Sequence, residues 1–115
     1  MTTPVVDGPA IIIGYEYRLQ IEAAGDLFPV GASFAGHLRA KVSAVMPVTT
    51  LTSGNGGVVR LTDRVLELVV PAAATAGLSP GSAVLDLVRT DLTPPRHLAF
   101  MLEIPVVRPV TRGLG

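Results

Sequence analysis

The sequence predicts an all-β fold, and three observations predict it. Segments of alternating apolar and polar residues recur at roughly 8–12-residue spacing. Gly, Pro, Asp and Asn cluster between these segments. No stretch carries a helical period long enough for a helix that stands alone. The arrangement they fit is an immunoglobulin-like antiparallel β-sandwich of about seven strands with one short helical turn.

In chain order, residues 1–14 read as an extended N-terminal arm, residues 15–111 as a β-sandwich domain and residues 112–115 as a tail. In the arm, Pro4, Gly8 and Pro9 forbid a regular helix. Val5, Val6, Ile11, Ile12 and Ile13 are too apolar to be left in water. The expectation is an arm that reaches a neighbouring subunit and adds a strand there; the competing reading has Ala10 to Ile13 begin the first strand. Tyr15 to Glu22 alternates strictly, with Tyr15, Tyr17, Leu19 and Ile21 on one face of a half-buried strand. Ala23 to Asp26 turns the chain. Phe34 to Ser43 alternates again, with Phe34, Gly36 and Leu38 on one face and His37 and Arg39 on the other. Val45 to Thr52 reads as a short strand that Pro47 pushes to an edge, and Ser53 to Gly57 as a flexible loop. Val58 to Leu61 and Arg64 to Val70 flank a turn at Thr62-Asp63. Ala72 to Leu78 is the single helical turn. Ala83 to Thr90 is a further strand, Leu92 to Arg96 breaks it, and His97 to Ile104 closes the set, with Leu98, Phe100, Leu102 and Ile104 on one side.

Composition narrows the function. Nine basic and nine acidic residues cancel, so neither a nucleic-acid surface, which needs clustered Lys and Arg, nor a polybasic membrane surface is expected. The chain is 49% hydrophobic and 16% charged, below the ~25% charged of an average domain, and low surface charge favours association. That composition fits an assembly subunit and equally an ordinary small β domain. With no cysteine, no disulfide or thiolate metal site is available. The N-terminus has no basic region before its apolar residues, and no apolar run approaches the ~20 residues of a membrane span. The expectation is synthesis in a cytoplasm without export by an evident signal.

Gly77-Leu78-Ser79-Pro80-Gly81 spells G-x-S-x-G, the nucleophile elbow of serine hydrolases. That elbow needs a strand before the serine and a helix after it; here an alanine turn precedes Ser79 and a strand follows. The residue after the nucleophile must supply an oxyanion-hole N–H, and Pro80 has none. Ser79 is therefore read as part of a corner. His37 and His97 fall opposite the apolar side of their strands and read as solvated, with no third ligand marked by spacing. The Ser53–Gly57 loop lacks the lysine and following helix of a phosphate cradle. Asp63, Asp86 and Asp91 read as turn or strand-end residues, and there is no tryptophan to make a sugar platform. No enzyme activity, cofactor, metal or small-molecule substrate is expected.

Two strands resist the reading of a wet outer face. Val65 and Val69 lie opposite Leu66, Leu68 and Val70, and Val84 and Val88 lie opposite Leu85 and Leu87. Strands apolar on both faces are usually covered on both. With the arm, this gives the expected interface: Val5, Val6, Ile11, Ile12, Ile13, Val65, Val69, Val84 and Val88.

The segment Arg64 to Asp91 runs from an apolar strand through P-A-A-A-T-A-G-L and S-P-G to A-V-L-D-L-V-R-T-D, and Val30 to Val42 reads V-G-A-S-F-A-G-H-L-R-A-K-V. Over roughly Tyr15 to Thr111 the chain resembles small β-sandwich virion proteins of tailed bacteriophages and phage-like particles, including the N-terminal modules of some baseplate and tail-fibre proteins. It departs from them at Arg89, where an inward apolar residue is expected, and the reading expects no fibre domain after it. The resemblance implies a virion structural subunit bound to the major capsid protein or other virion subunits and acting as an oligomer. A head decoration or cement protein stabilising the capsid lattice leads. A tail, connector or baseplate subunit is the alternative, and a carbohydrate-binding adhesin module a further one.

Overall fold

The computed structural model describes residues 10–41 and 46–110, apart from the side chains of Ala99 and Phe100. The fold is mostly β, in two sheets that enclose one core. Eight strands lie among the described residues: β1 (Ile11–Ile12), β2 (Tyr17–Glu22), β3 (Phe34–Arg39), β4 (Thr49–Thr52), β5 (Val58–Thr62), β6 (Val65–Val70), β7 (Gly81–Arg89) and β8 (Arg96–Val107). One helical turn, α1 (Ala72–Thr75), sits between β6 and β7. The five-stranded sheet has the order β1-β8-β7-β3-β4, and the three-stranded sheet the order β2-β6-β5. All pairings are antiparallel except β1 with β8.

Period-two patterning decides which faces meet. Along β2, Tyr17, Leu19 and Ile21 are buried and the residues between them exposed. β3 buries Phe34, Gly36 and Leu38, β6 buries Leu66, Leu68 and Val70, and β7 buries Ala83, Leu85 and Leu87. These side chains form a single cluster across both sheets, and each fully buried Leu, Val or Phe contributes ~1.5–3 kcal/mol. Gly36 has a packing reason: a Cβ there would lie 2.4 Å from the Asp86 carbonyl oxygen on β7 and 2.7 Å from Leu87. Any larger residue would push β3 away from β7.

Two sequence expectations change, and Phe28 joins the core without a periodic signal. Ile11 and Ile12, expected in an arm, pair with Val106 and Val107 of β8, and Ile11 is fully buried in the core. Residues 1–9 of that arm, with Val5 and Val6, lie outside the described residues, as does the tail at residues 112–115. Tyr15, expected to face inward with Tyr17, is 41% exposed, because the chain turns at Ile13–Tyr15 and alternation starts only at Tyr17. Phe28, in the loop after β2, is fully buried and packs edge-on against Phe34, ring centroids 5.6 Å apart.

The turn after β1 is fastened by α1. Gly14 takes φ +89, a left-handed conformation that glycine adopts at no steric cost. Its N–H donates to the Thr75 hydroxyl at 3.1 Å. That hydroxyl in turn donates to one of two carbonyls, Tyr15 O at 2.8 Å or Ala72 O at 3.0 Å. Thr75 is fully buried, so one hydroxyl ties the two crossovers between the sheets together, the β1–β2 turn and α1 between β6 and β7. Pro71 starts α1 by offering its carbonyl to the N–H groups of Ala74 and Thr75, and Leu78 drops into the core behind Gly77.

At the same end, β8 carries β1 on its outer side. Val107 turns its carbonyl toward β1, where the Ile13 N–H meets it at 3.0 Å. By alternation Pro105 turns its backbone to the same side, toward β1, so its missing N–H takes no hydrogen bond from the β7–β8 ladder.

Candidate functional site

The burial of Ala83, Leu85 and Leu87 turns Val84, Asp86 and Val88 outward. β7 is the middle strand of its sheet, so register fixes what flanks each of them on the outer face. Val84 lies between Arg39 of β3 and Glu103 of β8. Asp86 lies between His37 and Met101, and Val88 between Ala35 and His97. Between the last two rows β8 is bulged, running from Met101 to His97 while β7 runs from Asp86 to Val88. The bulge brings His97 Nε2 within 2.8 Å of Asp86 Oδ2. The Arg39 guanidinium lies 3.0 Å from His37 Nδ1. Met101 is 48% exposed and Val107, farther along β8, 41%.

His37, Arg39, Val84, Leu85, Asp86 and Met101 line a shallow hollow of about 150 Å³. Ligand pockets run to roughly 300–1,000 Å³, so this face has the relief of a contact surface rather than of a small-molecule site. Both histidines are on it, yet no group of three or more His, Cys, Asp or Glu able to hold a metal occurs among the described residues. The face offers half-buried valines and an exposed methionine between charges of both signs.

Other polar groups of the molecule are tied up locally. The hollow over the β5–β6 turn is lined by Asp26, Arg60, Asp63 and Arg64. Its two arginines are already engaged: Arg60 with Asp63 and, at 2.7 Å, the Phe28 carbonyl; Arg64 with Asp26 at 2.9 Å. Hydrogen bonding to Asp26 raises the Arg64 pKa further. Arg89, the departure from the expected apolar position, pairs with Asp91 at 2.6 Å. Asp91 also accepts the Ser33 N–H at 3.1 Å. The hydrogen bond from Arg89 is the main cause that lowers the Asp91 pKa to about 2. Ser79 is exposed, preceded by α1 and followed by β7, the reverse of the element order around a hydrolase nucleophile.

The structure does not gather the expected interface residues into one patch. Val84 and Val88 are half-buried on the outer face of the five-stranded sheet. Val65 and Val69 are half-buried on the outer face of the three-stranded sheet, on the opposite side of the core. β6 and β7 are the central strands of their sheets, and neighbours on both sides cover part of each valine, which accounts for apolar residues on both faces. Ile11 has no surface to offer, while Ile12 and Ile13 keep part of theirs. Sequence reasoning missed the Arg39–Val84–Glu103 row, because strand pairing between residues 39, 84 and 103 leaves no local trace. No family model matches the chain, and no curated protein or solved structure matches it.

Proposed function

We propose that the chain is a non-enzymatic structural subunit of a phage or phage-like particle, built as an immunoglobulin-like β-sandwich and working as a head decoration protein that stabilises the capsid lattice. The observation that carries this reading is the outer face of the five-stranded sheet, with Val84, Val88, Met101 and Val107 set among Arg39, Glu103 and Asp86 and with no deep pocket. Such a face acts by area and complementarity, as association surfaces do. The sandwich reading is supported by the strand orders β1-β8-β7-β3-β4 and β2-β6-β5, in which the chain crosses repeatedly between two sheets over one core. The particle reading is supported by the sequence resemblance and by the low charge content. The working location is the virion, after synthesis in the host cytoplasm, with the major capsid protein or other virion subunits as partners.

Gold labelling with an antibody against the chain, on particles purified from cells that encode it, tests the reading. Label over heads is expected. Label confined to tails would move the subunit to the tail, connector or baseplate. Particles without label, with the chain remaining in the soluble fraction, would overturn the virion reading.

A further inference from the structure

We propose that the outer face of the five-stranded sheet binds a second copy of the same chain, in a two-fold dimer whose axis runs along β7. This names the partner of the face assigned above as an association surface. It does not depend on the particle being a phage head.

Register sets which residues meet. A two-fold axis in the plane of contact and parallel to β7 turns one face onto the other, keeps each row at its height and exchanges left for right. Each β3 then lies over the partner's β8. Arg39 and Glu103 occupy one row, on opposite sides of Val84. Each Arg39 therefore meets a Glu103 of the second copy, twice per dimer, while Val84 meets Val84 and Val88 meets Val88. In the next row His37 lies over Met101, whose side chain is among the more exposed large apolar groups. An axis perpendicular to the strands would instead stack β3 on β3 and lose the opposite-charge contacts. Faces packed with strands nearly aligned are also the common geometry of sheet on sheet. The unfavourable element is Asp86 near its own copy, each carboxylate held to its own His97 at 2.8 Å.

Size sets the strength. Five strands ~4.8 Å apart and about six residues of ~3.3 Å give a flat footprint of roughly 480 Å². That is below the ~800 Å² per partner of a standard interface. The dimer is accordingly a weak, transient one in solution and strengthens where subunits are held close together.

The test uses the full chain in sedimentation equilibrium from ~10 μM to ~1 mM. A concentration-dependent dimer is expected. Arg39→Glu alone and Glu103→Arg alone each place two like-charge contacts in the homodimer and should weaken it at least ~10-fold. An equimolar mixture of the two variants should regain it, because both contacts of the mixed dimer again pair opposite charges. A monomer throughout the range, full dimerisation of either variant, or a mixture that stays monomeric would overturn the proposal. A second measurement covers a variant that fails to fold. The chain has no cysteine, so Val84→Cys with a short bis-maleimide should give a covalent dimer and Val65→Cys should not. Equal cross-linking at both positions would equally overturn it. Particle labelling is a separate readout, so the dimer and the virion reading can fail independently.

Discussion

The outer faces of the two sheets carry similar residues and use them differently. On the three-stranded sheet, Arg18 reaches both Glu16 at 2.9 Å and Glu67 at 3.2 Å, beside Val65 and Val69. Opposite charges there lie next to one another and cancel in place. On the five-stranded sheet, Arg39 and Glu103 stand in one row on opposite sides of β7, with Val84 between them. Charge arrangement, more than charge content, decides which of two half-apolar faces is complementary to itself. Exposed pairs such as Arg18–Glu67 add little to stability and are screened by salt; the same charges placed across strands define orientation for a partner.

The two faces should differ most at their central valines. Val84→Glu should weaken self-association by roughly 100-fold, since a charge would be desolvated at the contact without a partner. Val65→Glu should change it less than ~2-fold, because the three-stranded face lies on the opposite side of the core. Analytical ultracentrifugation separates the two, and equal loss of self-association in both variants would erase the distinction between the faces.

Thr75 tests how far the faces depend on the joint between the sheets. Thr75→Val leaves the Gly14 N–H without its acceptor and should cost about 2–3 kcal/mol in denaturant unfolding, with Thr75→Ser recovering most of it. Tyr17 offers the opposite sign. Its hydroxyl is buried with no hydrogen-bond partner among the described residues, and burial pushes the phenol pKa up. Tyr17→Phe should therefore stabilise the fold by about 1 kcal/mol, and a loss of stability would reveal a partner for that hydroxyl.

Acid should act on the five-stranded sheet through Asp91. Its pKa is lowered from 3.8 to about 2, so its contribution is fully present above 3.8 and is lost as pH falls through about 2. Thermal melts from pH 5 to pH 2 should show this loss, and Asp91→Asn should remove it from the pH profile. The smallest effect is expected at Ser79. Ser79→Ala should shift stability by less than ~1 kcal/mol and leave association unchanged, and a fluorophosphonate probe should not capture the serine.

Seven strands and the helical turn were legible because alternation and turn residues are local signals. β1 was not, since two residues carry no period and their partner, β8, lies more than ninety positions away in the chain. Phe28 sits in a loop without periodicity, and Thr75 is one threonine among alanines. Only the meeting of distant turns gives either its role. The valines were legible as apolar on both faces, but nothing in their spacing says that Val65 and Val84 point to opposite sides of the molecule.

The shortness of β1 bears on crowding. Open sheet margins in repeated collision can seed fibre growth by adding strand to strand. Among the described residues the margin outside β8 is a strand of two residues, a short template for an incoming chain. On the proposed particle, such an edge would favour packing through faces over polymerisation through edges.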